Sequence, residues 1–314
     1  MDPLTGLYGA GVALRNALFD RGLLSSLRLE QPVVSVGNLS TGGSGKTPFV
    51  IALGELLKAR GIRFDVLSRG YRRKTHGVRV VDPEGSAADF GDEPLLIARH
   101  LGVPVVVGED RYEAGCVAEQ KFQTQLHILD DGFQHRSLAR EFDIVLMTAD
   151  DLQDRLLPAG RLREPVSSLR RADAIVLPAR LAPEHPALRE KLIWRVQREI
   201  ILPAVPQAPI VFCGIARPQQ FLSQIRAAGI TPAAELVFRD HYRYARADIQ
   251  RLLAEQRRLG AGGFLTTEKD AINLGSLHRD LEPLAIVTLR LTLDHPADVL
   301  NTILGRIAER RPRS

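Results

Sequence analysis

The most restrictive feature of the chain lies between residues 33 and 60. Val33-Val34-Ser35-Val36 is a short apolar strand, followed by Gly37-Asn-Leu-Ser-Thr-Gly-Gly-Ser-Gly-Lys46-Thr47 and then a helical pattern over Thr47–Arg60. A strand, a glycine-rich turn ending in Gly-Lys-Thr and a helix form the context that a phosphate-binding loop requires. The glycines let backbone N–H groups converge on phosphate oxygens, and the helix N-terminus adds the positive end of its dipole. Ser40, Thr41, Gly42, Gly43, Ser44, Gly45, Lys46 and Thr47 are therefore expected to cradle a nucleoside triphosphate. Lys46 would reach the β- and γ-phosphates and the Thr47 hydroxyl would ligate Mg²⁺. The common pattern has glycine five residues before Gly45, where this chain has Ser40. A related loop in ATPases that dimerise over nucleotide carries a signature lysine at the place of Thr41, which argues against that variant.

A loop of this kind fixes the rest of the expectation, because it belongs in a sheet whose strands alternate with helices. Strand candidates are Val33–Val36, Phe64–Leu67, Val103–Val107, Leu126–Leu129, Ile144–Met147 and Ala174–Leu177; helical patterns cover Thr47–Arg60, Pro94–His100 and Arg111–Lys121. The alternation predicts an α/β fold, a parallel sheet with helices on both faces. A helix is expected at Trp194–Ile200, then a connector containing Pro203, Pro206 and Pro209. Further strands are expected at Ile210–Cys213, Phe264–Thr266 and Ile286–Leu289. This divides the chain into an N-terminal helical segment (1–28), a phosphate-loop domain (29–206) and a smaller C-terminal α/β domain (207–314). At 314 residues there is enough chain for two cores. Residues 3–14 carry no charge and lead into Leu18, Phe19, Leu23 and Leu24, a helix that would pack on the domain or lie in a membrane interface. No apolar run is long enough to span a bilayer, and Asp2, with no basic stretch around it, argues against a cleaved secretory signal. The two cysteines, Cys116 and Cys213, stand far apart, which gives no disulfide framework or zinc site and suits a reducing compartment. The net charge of +5 rests on arginine: Lys46, Lys58, Lys74, Lys121, Lys191 and Lys269 are the only lysines among 42 basic residues. Arginine suits phosphate recognition, but no cluster of stacking aromatics accompanies it, so no nucleic-acid partner is expected.

Leu126-His-Ile-Leu-Asp130-Asp131-Gly132 is an apolar strand ending in two aspartates. That form places a carboxylate at the sheet's carboxyl edge, where it would hold Mg²⁺. Gly91-Asp92-Glu93-Pro94 opens a helix. From the residues alone a capping role for Asp92 is favoured, against a base that takes the proton of a substrate hydroxyl. Two basic loops, Ser68-Arg-Gly-Tyr71-Arg72-Arg-Lys74 and Pro158-Ala-Gly-Arg161-Leu-Arg163-Glu-Pro165, read equally as contacts for anionic substrate groups or as solvated charge, and His135 follows the paired aspartates closely. Thr266-Thr-Glu-Lys-Asp270 reads equally as a contact to a nucleotide base or as a helix cap, and His241 in Asp240-His-Tyr242 as a surface residue.

Taken together, Val36–Pro48, Ser68–Tyr71, Gly91–Pro94, Leu129–His135, Pro158–Pro165, Asp240–Tyr242 and Thr266–Asp270 form an ordered set of seven motifs. The set resembles the tetraacyldisaccharide 4'-kinase (lipid A 4'-kinase) family from about residue 30 to 275. The resemblance implies an ATP- and Mg²⁺-dependent transfer of phosphate to the 4'-hydroxyl of a tetraacylated disaccharide 1-phosphate. It implies a lipid A precursor as partner and the cytoplasmic face of the bacterial inner membrane as the place of work. It implies Asp92 as catalytic base, His241 as its support, Lys46 and Asp131 in catalysis, and Thr47, Asp130 and Asp131 on the metal. Tyr71, Arg72, His135, Arg161 and Arg163 become substrate-binding candidates, the two last of which would equally serve the nucleotide. Two other readings compete: a soluble phosphate-loop kinase or ligase for a metabolite, and a regulatory NTPase.

Overall fold

The computed structural model describes residues 3–181 and 185–311. Asp2 and the outermost residues of the expected segments 1–28 and 207–314 lie outside them. In chain order the elements begin with α1 (Pro3–Asp20), β1 (Val33–Asn38), α2 (Lys46–Ala59), β2 (Phe64–Ser68), β3 (Arg79–Val80), α3 (Ala87–Phe90) and α4 (Asp92–Leu101). They continue with β4 (Val105–Val107), α5 (Arg111–Lys121), β5 (Leu126–Asp130), β6 (Phe142–Leu146), β7 (Ala174–Pro178) and β8 (Leu192–Ile201). After the proline connector come β9 (Ile210–Cys213), α6 (Pro218–Ala227), β10 (Ala234–Val237), α7 (Arg246–Leu259), β11 (Phe264–Thr267), α8 (Glu268–Leu274), β12 (Leu284–Leu293) and α9 (Pro296–Arg310).

The strands form one sheet in the order β10-β9-β11-β12-β8-β7-β6-β1-β5-β2-β4-β3. Ladders are parallel except β3 with β4 and β8 with β12. The α/β expectation therefore holds, and alternation along the central strands explains why both faces are covered. Val34 and Val36 of β1 point to a core built with Phe49, Val50 and Leu53 of α2 and Leu95 and Ile97 of α4. Val33 faces the other way, with Leu67, Val106, Leu129 and Ala114 and Ala118 of α5. Each such buried aliphatic contributes about 1.5–3 kcal/mol by leaving water.

The helix expected at Trp194–Ile200 is a strand. β8 pairs with β7 through Leu192–Val196 and with β12 through Val196–Ile201. Trp194 and Val196 are buried while Arg195 and Gln197 are more open, a period of two that a seven-residue window with three charged side chains disguises as helical. β12 is longer than expected and changes partners midway. Leu284–Val287 run parallel to β11, and Thr288–Leu293 run antiparallel to β8. It thus carries the sheet from the C-terminal strands back to the first set, after which α9 packs against α2 and β6.

Candidate active site

The phosphate loop forms because three glycines accept left-handed backbone: φ is 74° at Gly42, 61° at Gly43 and 88° at Gly45. Lys46 leaves the start of α2 and donates to Asn38 Oδ1 at 3.1 Å. Its ammonium lies 3.4 Å from Asp131. Asn38 in turn donates to Ser44 Oγ at 2.8 Å, tying the last residue of β1 to the loop. Ser40, where a glycine is usual, is buried with its hydroxyl unpartnered, and Thr47 is buried in the first turn of the helix.

β5 runs parallel to β1 and delivers Asp130 and Asp131 beside the loop. The two carboxylates differ. Asp131, at a left-handed φ of 52°, accepts from Arg163 at 2.9 and 2.8 Å and pairs with Lys46. Burial works against its charge, yet Lys46 and Arg163 outweigh that and hold it well below the usual carboxylate range. Asp130 accepts from Ser68 Oγ at 3.0 Å through one oxygen, while the other is buried without a partner. Burial, helped by the neighbouring charges of Glu93 and Asp131, pushes its carboxyl up to about 7. A divalent cation at the open oxygen would supply the missing partner and keep the group ionised. Among the described residues no group of three or more acidic, histidine or cysteine side chains surrounds a metal position. A sparse donor set of this kind fits Mg²⁺, which takes one or two carboxylates and completes its shell with phosphate oxygens and water.

α4 and the second half of the chain supply a further cluster. Asp92 is buried at the start of α4, after Gly91 at φ 90°. It does not cap the helix in the expected way: the N-cap is Gly91, and the helix amide that Asp92 Oδ1 accepts from is that of the adjacent Glu93, at 2.9 Å. His241 Nδ1 stands 3.0 and 2.8 Å from the two Asp92 oxygens. Asn273 donates to Asp92 Oδ2 at 2.9 Å. Burial opposes the Asp92 charge, but the bond from His241 and the Lys269 ammonium prevail and hold the carboxyl down at about 2. His241 has a left-handed φ of 56°, a strained backbone of the kind that surrounding structure must impose.

The comparison with known proteins settles what kind of chain carries this arrangement. A family model described as tetraacyldisaccharide-1-P 4'-kinase matches residues 1–308. The chain belongs to the tetraacyldisaccharide 4'-kinase family. A protein named tetraacyldisaccharide 4'-kinase from Koribacter versatilis is 50% identical over 321 residues, covering 99% of each chain. One of the same name from Aquifex aeolicus is 40% identical over 289 residues, covering 87% of this chain and 88% of that protein. A crystal structure of the "apo" form of LpxK from Aquifex aeolicus in complex with ATP superposes with a TM-score of 0.79 at 36% identity, over 97% of both chains.

The remaining expected residues of this family member fall in four places. Arg163 lies in the centre, on Asp131 and Asn38. Tyr71 and Arg72 lie on the Asp92 side: the Tyr71 ring meets the His241 ring edge-on at 5.2 Å, and Arg72 donates to the backbone carbonyls of Asp240 and His241. Arg161 is further out, paired with Asp154 at 3.0 Å and Asp150 at 3.4 Å, while its backbone carbonyl accepts from Thr41 N–H. His135 lies beside Ser137, and burial together with Arg111 and Arg140 lowers its imidazole to about 4, so it stays neutral.

Four side chains of the cluster carried no signal strong enough to single them out. Glu93 was hidden in the Gly-Asp-Glu-Pro turn, Asn38 at the strand end, and Asn273 and Arg111 within helices. Arg111 is buried with an unpartnered Nε, close enough to Arg69, Asp130 and Asp131 to feel their charge. Lys269 belongs to the Thr-Thr-Glu-Lys-Asp motif. That motif does cap α8, through Thr267 Oγ1 accepting from Asp270 N–H at 3.2 Å, but its lysine turns into the Asp92 cluster.

Proposed function

We propose that the protein transfers the γ-phosphate of ATP to the 4'-hydroxyl of a tetraacyldisaccharide 1-phosphate, a lipid A precursor, giving the 4'-phosphorylated lipid and ADP. The observation that carries this reading is the pair of neighbouring sites in one family member: a phosphate loop with Lys46 on Asp131, and an ionised Asp92 backed by His241, with Glu93 of the second near enough to Asp130 of the first to act on its charge. The two lobes that supply them are read as residues 29–206 and 207–314, with β12 and α9 returning to the first. Phosphoryl transfer asks for positioning and charge neutralisation more than covalent help. Loop residues 40–47 would hold the β- and γ-phosphates, with Lys46 against the charge that builds as the β–γ bridge breaks. Asp92 would accept the proton of the sugar hydroxyl as that oxygen bonds to phosphorus, and His241 would hold Asp92 in place. Thr47, Asp130 and Asp131 are the residues to hold Mg²⁺, which supplies charge neutralisation to the phosphates when bound. Arg163 and Lys46 already share Asp131, so Asp130, with its open oxygen, is the better placed of the two carboxylates. Tyr71, Arg72, His135 and Arg161, and with them the buried Arg111, are read as contacts for the anionic substrates.

No helix among the described residues is long and apolar enough to cross a membrane. α1 instead presents Leu4, Leu7 and Leu14 to solvent, 63%, 72% and 63% exposed. Their spacing of three and seven puts them on one face. Residues flanking that face fasten the helix to the site loops, with Tyr8 donating to the Arg163 carbonyl and Arg15 to the Gln134 carbonyl. We read α1 as the surface that holds the enzyme on the cytoplasmic side of the inner membrane, where the acyl chains are. The deciding experiment follows labelled γ-phosphate from ATP to tetraacyldisaccharide 1-phosphate in detergent micelles, with Lys46→Ala as control. Label on the lipid that disappears in the control is the expected result. Inorganic phosphate released without labelled lipid would replace the kinase reading with that of an NTPase.

A further inference from the structure

The hydrogen bonding around His241 leaves one residue of α8 with no assigned purpose. Lys269 Nζ lies 3.1 Å from His241 Nε2, 3.2 Å from Glu93 Oε1, 3.6 Å from Asp240 and 4.0 Å from Asp92 Oδ2. An ammonium has three donors and no lone pair. Where it meets an imidazole nitrogen at hydrogen-bond distance, that nitrogen must be the acceptor. Nε2 of His241 is then unprotonated, and the ring's single proton sits on Nδ1, facing Asp92. The other neighbour of Nε2, Asp240 Oδ2, is 3.8 Å away, too far to accept a proton from it. Three carboxylates surround Lys269; burial disfavours its charge, but Glu93, Asp92 and Asp240 together raise the ammonium well above the usual lysine range, so it remains protonated.

Resting on the reading of Asp92 as the base, we infer that Lys269 is a positioning residue for the transfer reaction: by donating to Nε2 it fixes His241 as the neutral Nδ1–H tautomer, which keeps Asp92 an unprotonated acceptor for the substrate hydroxyl. Without that cation Nε2 loses the donor it accepts from and is open to a second proton. An imidazolium against Asp92 would neutralise the carboxylate and weaken it as an acceptor. The geometry is built for the purpose. Lys269 and Asn273 are four residues apart on α8, so they share one helix face, and that face delivers one donor to His241 and one directly to Asp92. The charged and titratable groups around the ring are Asp92 and Glu93 from α4, Asp240 beside it, Lys269, Tyr71 edge-on to the ring, and Arg72 on the His241 carbonyl; Asn273 lies beside Asp92. Lysine, as a cation on a compact head, satisfies Nε2 while remaining in contact with Glu93, which methionine, with no donor, cannot do.

The test uses the full-length enzyme with Lys269→Met and Lys269→Arg. Lys269→Met should lower kcat roughly tenfold to a hundredfold, less than the loss of a direct acid–base group because Lys269 acts through His241. Its KM for ATP should stay within about twofold, since Lys269 touches no residue of the phosphate loop. The variant's kcat should also gain a rise with pH that the parent lacks. Lys269→Arg keeps a charged N–H donor and should restore both the rate and the flat profile. ¹⁵N chemical shifts of His241 read the tautomer without any turnover: an acceptor Nε2 in the parent at neutral pH, and a doubly protonated ring in Lys269→Met at pH 6. A protonated Nε2 in the parent, or a Lys269→Met enzyme with parental kcat and pH profile, overturns the inference. Asp92→Asn separates the two levels. If it retains turnover while the ¹⁵N shifts behave as expected, the base assignment fails and the tautomer-setting role of Lys269 stands alone.

Discussion

Three donors converge on Asp92 before any substrate is present: the Glu93 amide, the His241 imidazole and the Asn273 amide. A carboxylate so well served is a weak base in the ground state. In the proposed reaction its use would lie in being ionised, oriented and ready when the attacking hydroxyl becomes acidic in the transition state. Asp92→Asn should therefore lower kcat by about a hundredfold or more while ATP affinity changes little; near-parental turnover in the coupled assay would refute the assignment. The sign of its pH dependence follows from its depressed value of about 2. The stabilisation it gives the fold is complete above the unfolded value of about 4 and is lost as pH falls toward 2, so between pH 5 and 9 Asp92 contributes no limb to the rate profile. On the nucleotide side, Gly43 has φ 61°, and a Cβ there would come within 2.8 Å of the Arg217 side chain. Gly43→Ala should cost about tenfold or more in ATP affinity, given about 1–2 kcal/mol of left-handed strain and a displaced arginine. Equilibrium binding measures it, and unchanged affinity would mean the loop tolerates a different conformation. Residue by residue, what was legible in the sequence was what is local. Lys46 and Thr47 sit in a contiguous motif whose spacing is its geometry. Lys269 meets Glu93 across 176 residues and Asn273 meets Asp92 across 181, and no pattern in either segment announces the other.

At the scale of elements, the parallel strands were legible because buried β-strands read as short apolar runs, and β1, β2, β5 and β7 do. β8 was not, because Arg195, Gln197, Arg198 and Glu199 interrupt its apolar positions and only the pairing with β7 and β12 decides its period. The far end of the sheet shows what else element packing required. His127 of β5 is fully buried, with Nδ1 at 2.9 Å from Asp65 of β2 and Nε2 at 3.1 Å from Glu119 of α5. Burial disfavours its charge, but the two carboxylates prevail and raise its pKa. A histidine raised in the folded state stabilises fully below about 6.5 and progressively less as pH climbs through its folded value. His127→Gln should therefore cost about 3 kcal/mol at pH 6, by stranding Asp65, and less at pH 9. Urea denaturation of both proteins at the two pH values checks this, and an equal loss at both would remove the charge from the explanation. α1 makes a separate prediction. Leu7→Ser with Leu14→Ser should reduce cosedimentation with anionic lipid vesicles by about tenfold or more, at about 1.5–3 kcal/mol per fully buried leucine, and leave ATP binding unchanged. Unaltered cosedimentation would place the lipid contact elsewhere.

The molecule as a whole is held by a connection that crosses between its halves twice. The chain leaves the first set of strands at β8 and returns along β12, which pairs with β8 over Val196–Ile201. The Asp92 cluster spans that divide, since Asp92 and Glu93 come from one side and His241, Lys269 and Asn273 from the other. Its geometry can be no better than the register of β8 on β12. α9 is what locks that register: it follows β12 directly, buries Val299, Leu300 and Ile303 in the core shared with α2, and ends in Arg310 on Asp173 and Arg311 on Glu141. Ending the chain after Asp294 should thus remove about 5 kcal/mol of apolar burial and leave Glu141, which is buried, with one partner fewer among its arginines. For a protein of this size that corresponds to a fall in Tm of roughly 10 °C. The loss should reach the active site before the fold is lost. At a temperature where the shortened protein is still folded by circular dichroism, kcat should drop more than ATP affinity, because every residue of the phosphate loop comes from the first half, with Ala216 and Arg217 only packed against it, whereas the Asp92 cluster is assembled from both. Equal losses in both would mean that α9 only stabilises the first core. A shortened protein with parental Tm and kcat would mean that β8 and β12 hold the two halves in register unaided.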